Sequence, residues 1–485
     1  MSSPLDSLQP RLVWHHFDAI RRTPRPSKKE ERIRRHVLDW ASEKGYAARV
    51  DAIGNVLVSV PAKGGLDDRP LLVLQAHLDM VCEKNRDTVF DFDAQAIEVA
   101  VVDGWVRAKG TTLGADNGIG VALAMALADD AEAVHPPLEL LFTIDEETGL
   151  TGATELDPSL VRGRRLLNLD SEEWGMFYIG CAGGGDDHLR LVLDRLSTSE
   201  IPEAVALQLA VRGGRGGHSG CDIHENRANA VKLLVRWIGA ARQLHTLQIA
   251  SIDGGDKHNA IPREAEATLI VSASELESVR DALAVAEEGL KVEFGKWEPS
   301  LQFQSVDVPL PAETFGAAAS DRLLQMLLAL PNGVQTMSRD IAGLVETSTN
   351  LAAVHTIRGA VTVLTSSRSS LAPALLGVRE QIAAVGRLVG AQIERMPGYP
   401  GWAPNTDSPL LATARRVYEA MHGQEPVVAA IHAGLECGVL GERVPGMDML
   451  SLGPTITGPH SPDERVEIES VADCYRYLRA FVAEL

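Results

Sequence analysis

PLLVLQAHLDM, residues 70–80, is the stretch from which the rest of the chain is read. Leu71–Ala76 is a short β-rich run. His77 and Asp79 follow it at once. In extended chain, residues two apart point to the same side. A carboxylate at 79 can therefore accept the second imidazole N–H of His77 and fix its tautomer, as metal-bound histidines require. The spacing thus predicts a strand that delivers a metal-binding histidine at its carboxyl end.

Four further motifs repeat the arrangement. DEETG, with Glu146 and Glu147, follows a strand expected over Leu138–Ile144. NLDSEE, with Asp170, follows Leu166–Leu169, and GPHSP, with His460, lies after Met447–Leu452. LGADNG, with Asp116, opens Gly118–Ala128, which is apolar nearly all round and reads as a buried helix. Helices are expected over Leu12–Arg22, Lys29–Lys44 (closed by Gly45), Leu435–Gly441 and Ile468–Leu485, and strands over Ala47–Asp51, Val56–Val60 and Val427–Ile431. Alternation of this kind predicts an α/β domain whose mixed, largely parallel sheet is sandwiched by helices. In such sheets ligands bind at the carboxyl ends of the strands.

The middle of the chain is patterned differently. Strands Ala204–Val211, Leu247–Ile252, Glu264–Ala273 and Leu301–Val308 alternate with helices Glu225–Leu244 and Glu275–Leu290. Helix Ser320–Leu330, strands Asn350–Ile357 and Ala360–Thr365, and helix Ala372–Val389 follow. The order suggests two approximate copies of a split βαβ unit, hence an inserted α+β domain. CAGGGDD near Gly184 and MPGYPGWAPN from Met396 read as the breaks. The expected organisation is residues 1–185 and 397–485 as a catalytic domain and 186–396 as an inserted lid and dimerisation domain.

Bulk properties exclude several classes. The 485 residues carry 46 basic and 66 acidic side chains, a net charge of −20. That argues against nucleic-acid and anionic-membrane partners. No apolar stretch is long enough to span a bilayer, and the N-terminal residues show no signal-peptide pattern. Five scattered cysteines without a CxxC read as reduced thiols in a cytoplasmic protein.

Taken singly, every site residue has an ordinary reading. His77 reads as a core histidine, Asp116 as a helix N-cap, Glu146 and Glu147 as helix-dipole partners, and His460 as a loop residue. Together they supply two histidines and three carboxylates with Glu146 to spare, and each stands beside an element end. Such a donor set suits a pair of divalent ions: zinc first, with manganese or cobalt as alternatives.

On HLDM, GADNG, DEETG, NLDSEE, GGHSG and GPHSP, in that order, the chain resembles the co-catalytic metallopeptidases that include carboxypeptidase G, acyl-amino-acid deacylases and several dipeptidases. GTTLGADNGIG, GLVETSTNLA, HAGLECG and the long insertion look most like the aminoacyl-histidine dipeptidases of that family. The resemblance implies that Asp116 bridges two metals, His77 and Asp170 complete one site, and Glu147 and His460 complete the other. It implies Glu146 as general base, Asp79 as the residue orienting His77, and His218 of GGRGGHSG as a contact to the scissile carbonyl. Asn259 of HNAIP, Arg368 of SSRSS and Gly434 of HAGLECG would bind substrate. The implied activity is hydrolysis of aminoacyl-histidine and related dipeptides by a metal-activated water. An N-acyl-amino-acid deacylase or carboxypeptidase with the same centre is the alternative. A homodimer through the inserted domain is expected, with His218 acting either in its own chain or across the interface.

Overall fold

The computed structural model describes residues 3–485. The chain divides into two compact units. One comprises Met1–Cys181, Trp402–Ala430 and Leu435–Leu485, and the other Ala182–Gly401 with Ile431–Gly434. The chain belongs to the α/β class: the main sheet of the first unit is mixed, and that of the second is antiparallel throughout.

The first unit is built on an eight-stranded sheet. Its order is Ala47–Val50, Val56–Val60, Leu138–Thr143, Leu72–His77, Arg165–Asn168, Asp448–Ser451, Met176–Cys181 and Val427–Ile431. The four strands from Leu138–Thr143 to Asp448–Ser451 are parallel, and those flanking them pair antiparallel. Leu72–His77 and Leu138–Thr143 are buried along their whole length, as strands covered on both faces must be. Helix Ala115–Asp129 is buried on nearly every side. Gly120 makes its close approach possible, since a Cβ there would lie 2.5 Å from the carbonyl oxygen of Leu169. That contact brings the start of the helix beside Asp170.

A four-stranded sheet in the same unit, from Val99–Val102, Trp105–Ala108, Ile456–Thr457 and Arg465–Glu467, was not expected. Its strands are too short to show periodicity. The available signal was Asp103-Gly104, both at positive φ, the dipeptide of a tight hairpin turn. This sheet carries both ends of the His460 loop.

The second unit has a nine-stranded sheet made of two β-α-β-β-α-β repeats and one added strand, Gly333–Met337, which pairs with Val345–Ile357. The first repeat runs from strand Ala204–Arg212 to strand Gln302–Val308. The second begins with Gly183–Val192, is interrupted by the whole first repeat, and resumes with helix Ala317–Ala329 to end at Gln392–Arg395. In each, the outer strand lies beside the first, then the third, then the second. The repeats join where Gly254 and Gly255 pair with Val354 and Ala353.

Three details differ from the reading of the sequence. Gly183–Asp187 of the Gly-rich CAGGGDD stretch opens a ten-residue strand, Gly183–Val192, so the boundary placed at 185/186 falls inside it. Its glycines serve close packing: a Cβ on Gly183 would lie 2.4 Å from the nitrogen of Gly401. The helix expected over Glu225–Leu244 starts only at Ala230, because the Asn229 side chain accepts from the N–H groups of Val231 and Lys232 and caps it there. The segment Ile431–Gly434 groups with the second unit, where Ser348 Oγ lies 2.7 Å from His432 Nε2.

Candidate metal centre and substrate groups

The first unit brings together side chains from five separate stretches. His77 ends its strand, Glu146 and Glu147 follow the neighbouring strand, and Asp170 follows the one on the other side. Asp116 stands at the start of the buried helix in non-helical conformation, at φ −76° and ψ 113°. Asp116 Oδ1 lies 3.0 Å from His77 Nε2, which is 3.4 Å from Asp170 Oδ1. Asp116 Oδ2 lies 3.1 Å from His460 Nε2, which is 3.0 Å from Glu147 Oε2. One carboxylate thus offers one oxygen to each of two histidine–carboxylate pairs. Within each of these groups the donor atoms lie within 4.8 Å of one another.

Asp79 is fully buried behind this cluster. Its Oδ1 accepts from the backbone N–H of Glu146 at 3.0 Å, and its Oδ2 from that of Glu147 at 3.2 Å and from Ser27 Oγ at 2.7 Å. Asp79 Oδ1 is 3.3 Å from His77 Nδ1 but outside hydrogen-bond geometry. Asp79 therefore anchors the DEETG turn as firmly as it faces His77. Burial would raise its pKa, but His77 and its other donors hold it down to about 2.

The donor set fits divalent cations. Glu147 Oε1 is buried with no hydrogen-bond partner. Hydrogen bonds with Asp116 and Glu147 pull the His460 pKa up to about 11. Carboxylates packed this closely demand positive charge, and a metal would satisfy it by displacing the histidine protons. Glu146 is placed differently. Its side chain makes no hydrogen bond or ion pair with the described residues, yet it lies within 4.8 Å of donor atoms of His77 and Glu147. Burial, and after it the opposing effect of His77 and the repulsion of Asp170, leaves its pKa well above the ordinary glutamate value.

Residues missed from the sequence hold the cluster in place. Glu464 Oε2 accepts from the N–H groups of Leu113 and Gly114, and Oε1 from those of Ala115 and Asp116. Arg25 donates to the carbonyls of Leu78, Asp79 and Gly114. Asn117 donates to the Leu169 carbonyl and to Asp170 Oδ1. Glu464 and Arg25 stand in none of the quoted motifs, and Asn117 stands inside LGADNG without being singled out, so only their contacts reveal them.

The second unit gathers the remaining sequence candidates. His218 Nδ1 accepts from the backbone N–H groups of Gly220 at 3.2 Å and Cys221 at 3.0 Å. A neutral imidazole so held carries its proton on Nε2 as a free donor. Burial, followed by the nearby Arg368 guanidinium, keeps the pKa of His218 low and so favours that neutral form. The Asn259 carbonyl accepts from Ser219 N–H at 2.8 Å, which sets HNAIP beside the His218 turn, and the Asn259 side chain is exposed. Arg368 is buried, donates to Tyr399 Oη at 2.8 Å, and keeps its Nε without a partner. Tyr399 in turn packs against Gly434. His432, not singled out from sequence, adds a neutral imidazole here: burial and Arg368 depress its pKa to about 3.

The model of Peptidase family M20/M25/M40 matches residues 73–484. The cytosol non-specific dipeptidase of Escherichia coli (strain K12) is 40% identical over 484 residues, 100% of this chain and 99% of the relative. The crystal structure of aminoacylhistidine dipeptidase from Vibrio alginolyticus aligns at 42% identity with a TM-score of 0.94, covering 99% of this chain and 97% of that one. Aminopeptidase PepT from Bacillus cereus shares the fold, with a TM-score of 0.54 at 15% identity over 98% and 99% of the two chains. The chain belongs to peptidase family M20/M25/M40, and it is a peptide hydrolase, similar over its full length to the two dipeptidases at 40% and 42% identity. Among the described residues no helix is long and apolar enough to cross a membrane.

Proposed function

We propose that the chain is a metal-dependent dipeptidase acting on aminoacyl-histidine and related dipeptides, with His77, Asp116, Asp170, Glu147 and His460 as ligands. The observation that carries this reading is the placement of Asp116, one oxygen toward each histidine–carboxylate pair. Full-length similarity to two dipeptidases supports the substrate class. Zinc, manganese or cobalt held there would polarise the scissile carbonyl and lower the pKa of a water toward about 7.

The chain's own groups complete the reaction. Glu146, not engaged as a ligand, takes a proton from the attacking water as its oxygen bonds to the carbonyl carbon. The same carboxyl returns the proton to the nitrogen as the C–N bond breaks. His218 Nε2–H is a donor suited to the oxyanion. Arg368, with its unpartnered buried Nε, suits the substrate carboxylate, and a guanidinium–carboxylate pair is charge-assisted. Asn259 and the Gly434 backbone would contact the rest of the dipeptide.

Five free cysteines and a cytosolic relative favour a cytoplasmic location. The inserted unit would act as lid and as the contact of a homodimer, for which its largely exposed edge strand Gln302–Val308 is available. The test is an assay of β-Ala-His, a second aminoacyl-His dipeptide and N-acetyl-His, with and without added metal. Cleavage of the first two alone, and only with metal, is expected. Turnover of N-acetyl-His in preference would make the enzyme a deacylase, and activity in protein shown free of metal would overturn the mechanism.

A further inference from the structure

A line of polar side chains crosses the otherwise apolar interior of the first unit's sheet. Thr143, Gln75, Asn168 and Ser451 stand on four adjacent parallel strands and are all fully buried. Gln75 is in register with Asn168, and Asn168 with Ser451. Buried polar groups are costly unless hydrogen-bonded, and in this row only Glu436 Oε1 lacks a partner among the described residues. Here Gln75 Nε2 donates to Glu436 Oε2 at 2.5 Å and to Thr143 Oγ1 at 3.1 Å, and Thr143 Oγ1 donates to the same Glu436 oxygen at 2.7 Å. Asn168 Nδ2 donates to Gln75 Oε1 at 2.5 Å. Asn168 Oδ1 then accepts from Ser451 Oγ at 2.5 Å and from the backbone N–H of Asp170 at 3.2 Å. Ser451 Oγ lies 2.6 Å from Ser171 Oγ.

The polarity of this row follows from its first member. Glu436 Oε2 accepts two hydrogen bonds, from Gln75 Nε2 and Thr143 Oγ1. Glu436, at the start of helix Glu436–Arg443 and fully buried, therefore turns the Gln75 NH2 toward itself. The Gln75 oxygen must then meet the Asn168 NH2, and the Asn168 oxygen is left to receive Asp170 N–H. Gln75 stands two residues before His77, on the same side of its strand. Asn168 stands two before Asp170. The row thus reaches the backbone N–H of Asp170, and its Gln75 member stands two residues before His77 on the same strand.

We infer that Glu436 is a positioning residue of the metal centre, setting through the Gln75 and Asn168 amides the orientation of the strand ends that carry His77 and Asp170. This rests on the metal reading of the site. It assigns a role to the glutamate of HAGLECG, a motif otherwise tied only to substrate binding.

The test uses the full chain, freed of metal and titrated with cobalt(II), in the unaltered protein and in Glu436→Gln and Glu436→Leu. A Gln can donate as well as accept, so it lets both amides turn over, and Leu removes the acceptor. The expected result is cobalt affinity lower by about tenfold to a hundredfold in Glu436→Leu, with an altered visible absorption spectrum. Glu436→Gln should show a smaller change of the same kind with an unchanged melting temperature. In both, kcat should fall more than KM rises. Were Glu436→Leu not to fold, Glu436→Gln alone decides. Native cobalt spectrum, affinity and kcat in the folded variants would overturn the inference. Failure of the unaltered protein to bind cobalt would overturn the metal reading and the inference with it, whereas normal binding there with silent variants would overturn only the inference.

Discussion

The carboxylate of Glu464 accepts a hydrogen bond from the backbone N–H of Asp116 at 3.2 Å. Glu464 stands four residues beyond His460, so the loop carrying one proposed ligand grips the turn carrying the one proposed to be shared. Three more N–H groups of that turn point at the same carboxylate. Glu464→Gln replaces one acceptor oxygen by an NH2 that faces other donors. We expect metal affinity to fall by about tenfold or more, in line with other groups that orient ligands. Competition with a chromogenic chelator measures it, and unchanged affinity would leave Glu464 as a loop fastener only.

Glu146 and Glu147 are adjacent, yet the geometry separates them. Glu147 pairs with His460 at 3.0 Å, and the Glu146 side chain pairs with none of the described residues. Glu146→Gln should retain both metals and lose most of kcat. Glu147→Gln should lose about one metal equivalent. Elemental analysis beside steady-state kinetics decides the matter, and equal metal loss in the two variants would mean the roles are misassigned.

The pH profile follows from the same residue. A base must be ionised to work, and burial raises the Glu146 pKa above the ordinary 4.5. The sign is therefore loss of activity as pH falls through that raised value. The acidic limb of kcat should lie above the range of an ordinary glutamate. A limb at or below pH 4.5 would place the base elsewhere.

His218→Ala should leave metal content unchanged and lower kcat by about a hundredfold or more, as for loss of one oxyanion donor. Mixing Glu146→Gln with His218→Ala chains under subunit exchange tests whether His218 works within its own chain. The two repeats form one continuous sheet within the chain, His218 is expected to act in its own chain, and no recovery is expected. Regained activity in verified heterodimers would show action across the interface, and a monomer in sedimentation would remove the dimer.

Lys232 Nζ donates to the carbonyls of Leu327, Leu328 and Leu330, at 2.8, 2.9 and 2.8 Å, where helix Ala317–Ala329 ends. These groups have no partner within the helix. Lys232→Met should destabilise the protein by about 1–3 kcal/mol, the cost of unmaking charged hydrogen bonds at a partly buried site. Denaturant unfolding measures it, and a change below about 0.5 kcal/mol would show that water replaces the lysine.

His77, Asp116, Glu147 and Asp170 could be proposed from the sequence because each stands beside one end of a short, strongly apolar element, and His460 because it lies in a loop beyond one. Strand ends in a parallel sheet converge on one rim, so element order already implied a shared centre. The α/β alternation was legible for the same reason: buried strands and a buried helix must be apolar. Gly183–Val192 was not legible, because glycines needed for close packing look like glycines needed for turns. Glu464, Arg25 and Glu436 were not legible either. Each acts on backbone groups or amides hundreds or tens of positions away, through single hydrogen bonds that leave no periodic trace. The apolar pattern along the chain determined which donors could meet, while the three-dimensional packing decided how each is aimed, because orientation depends on contacts between residues that the sequence order keeps apart.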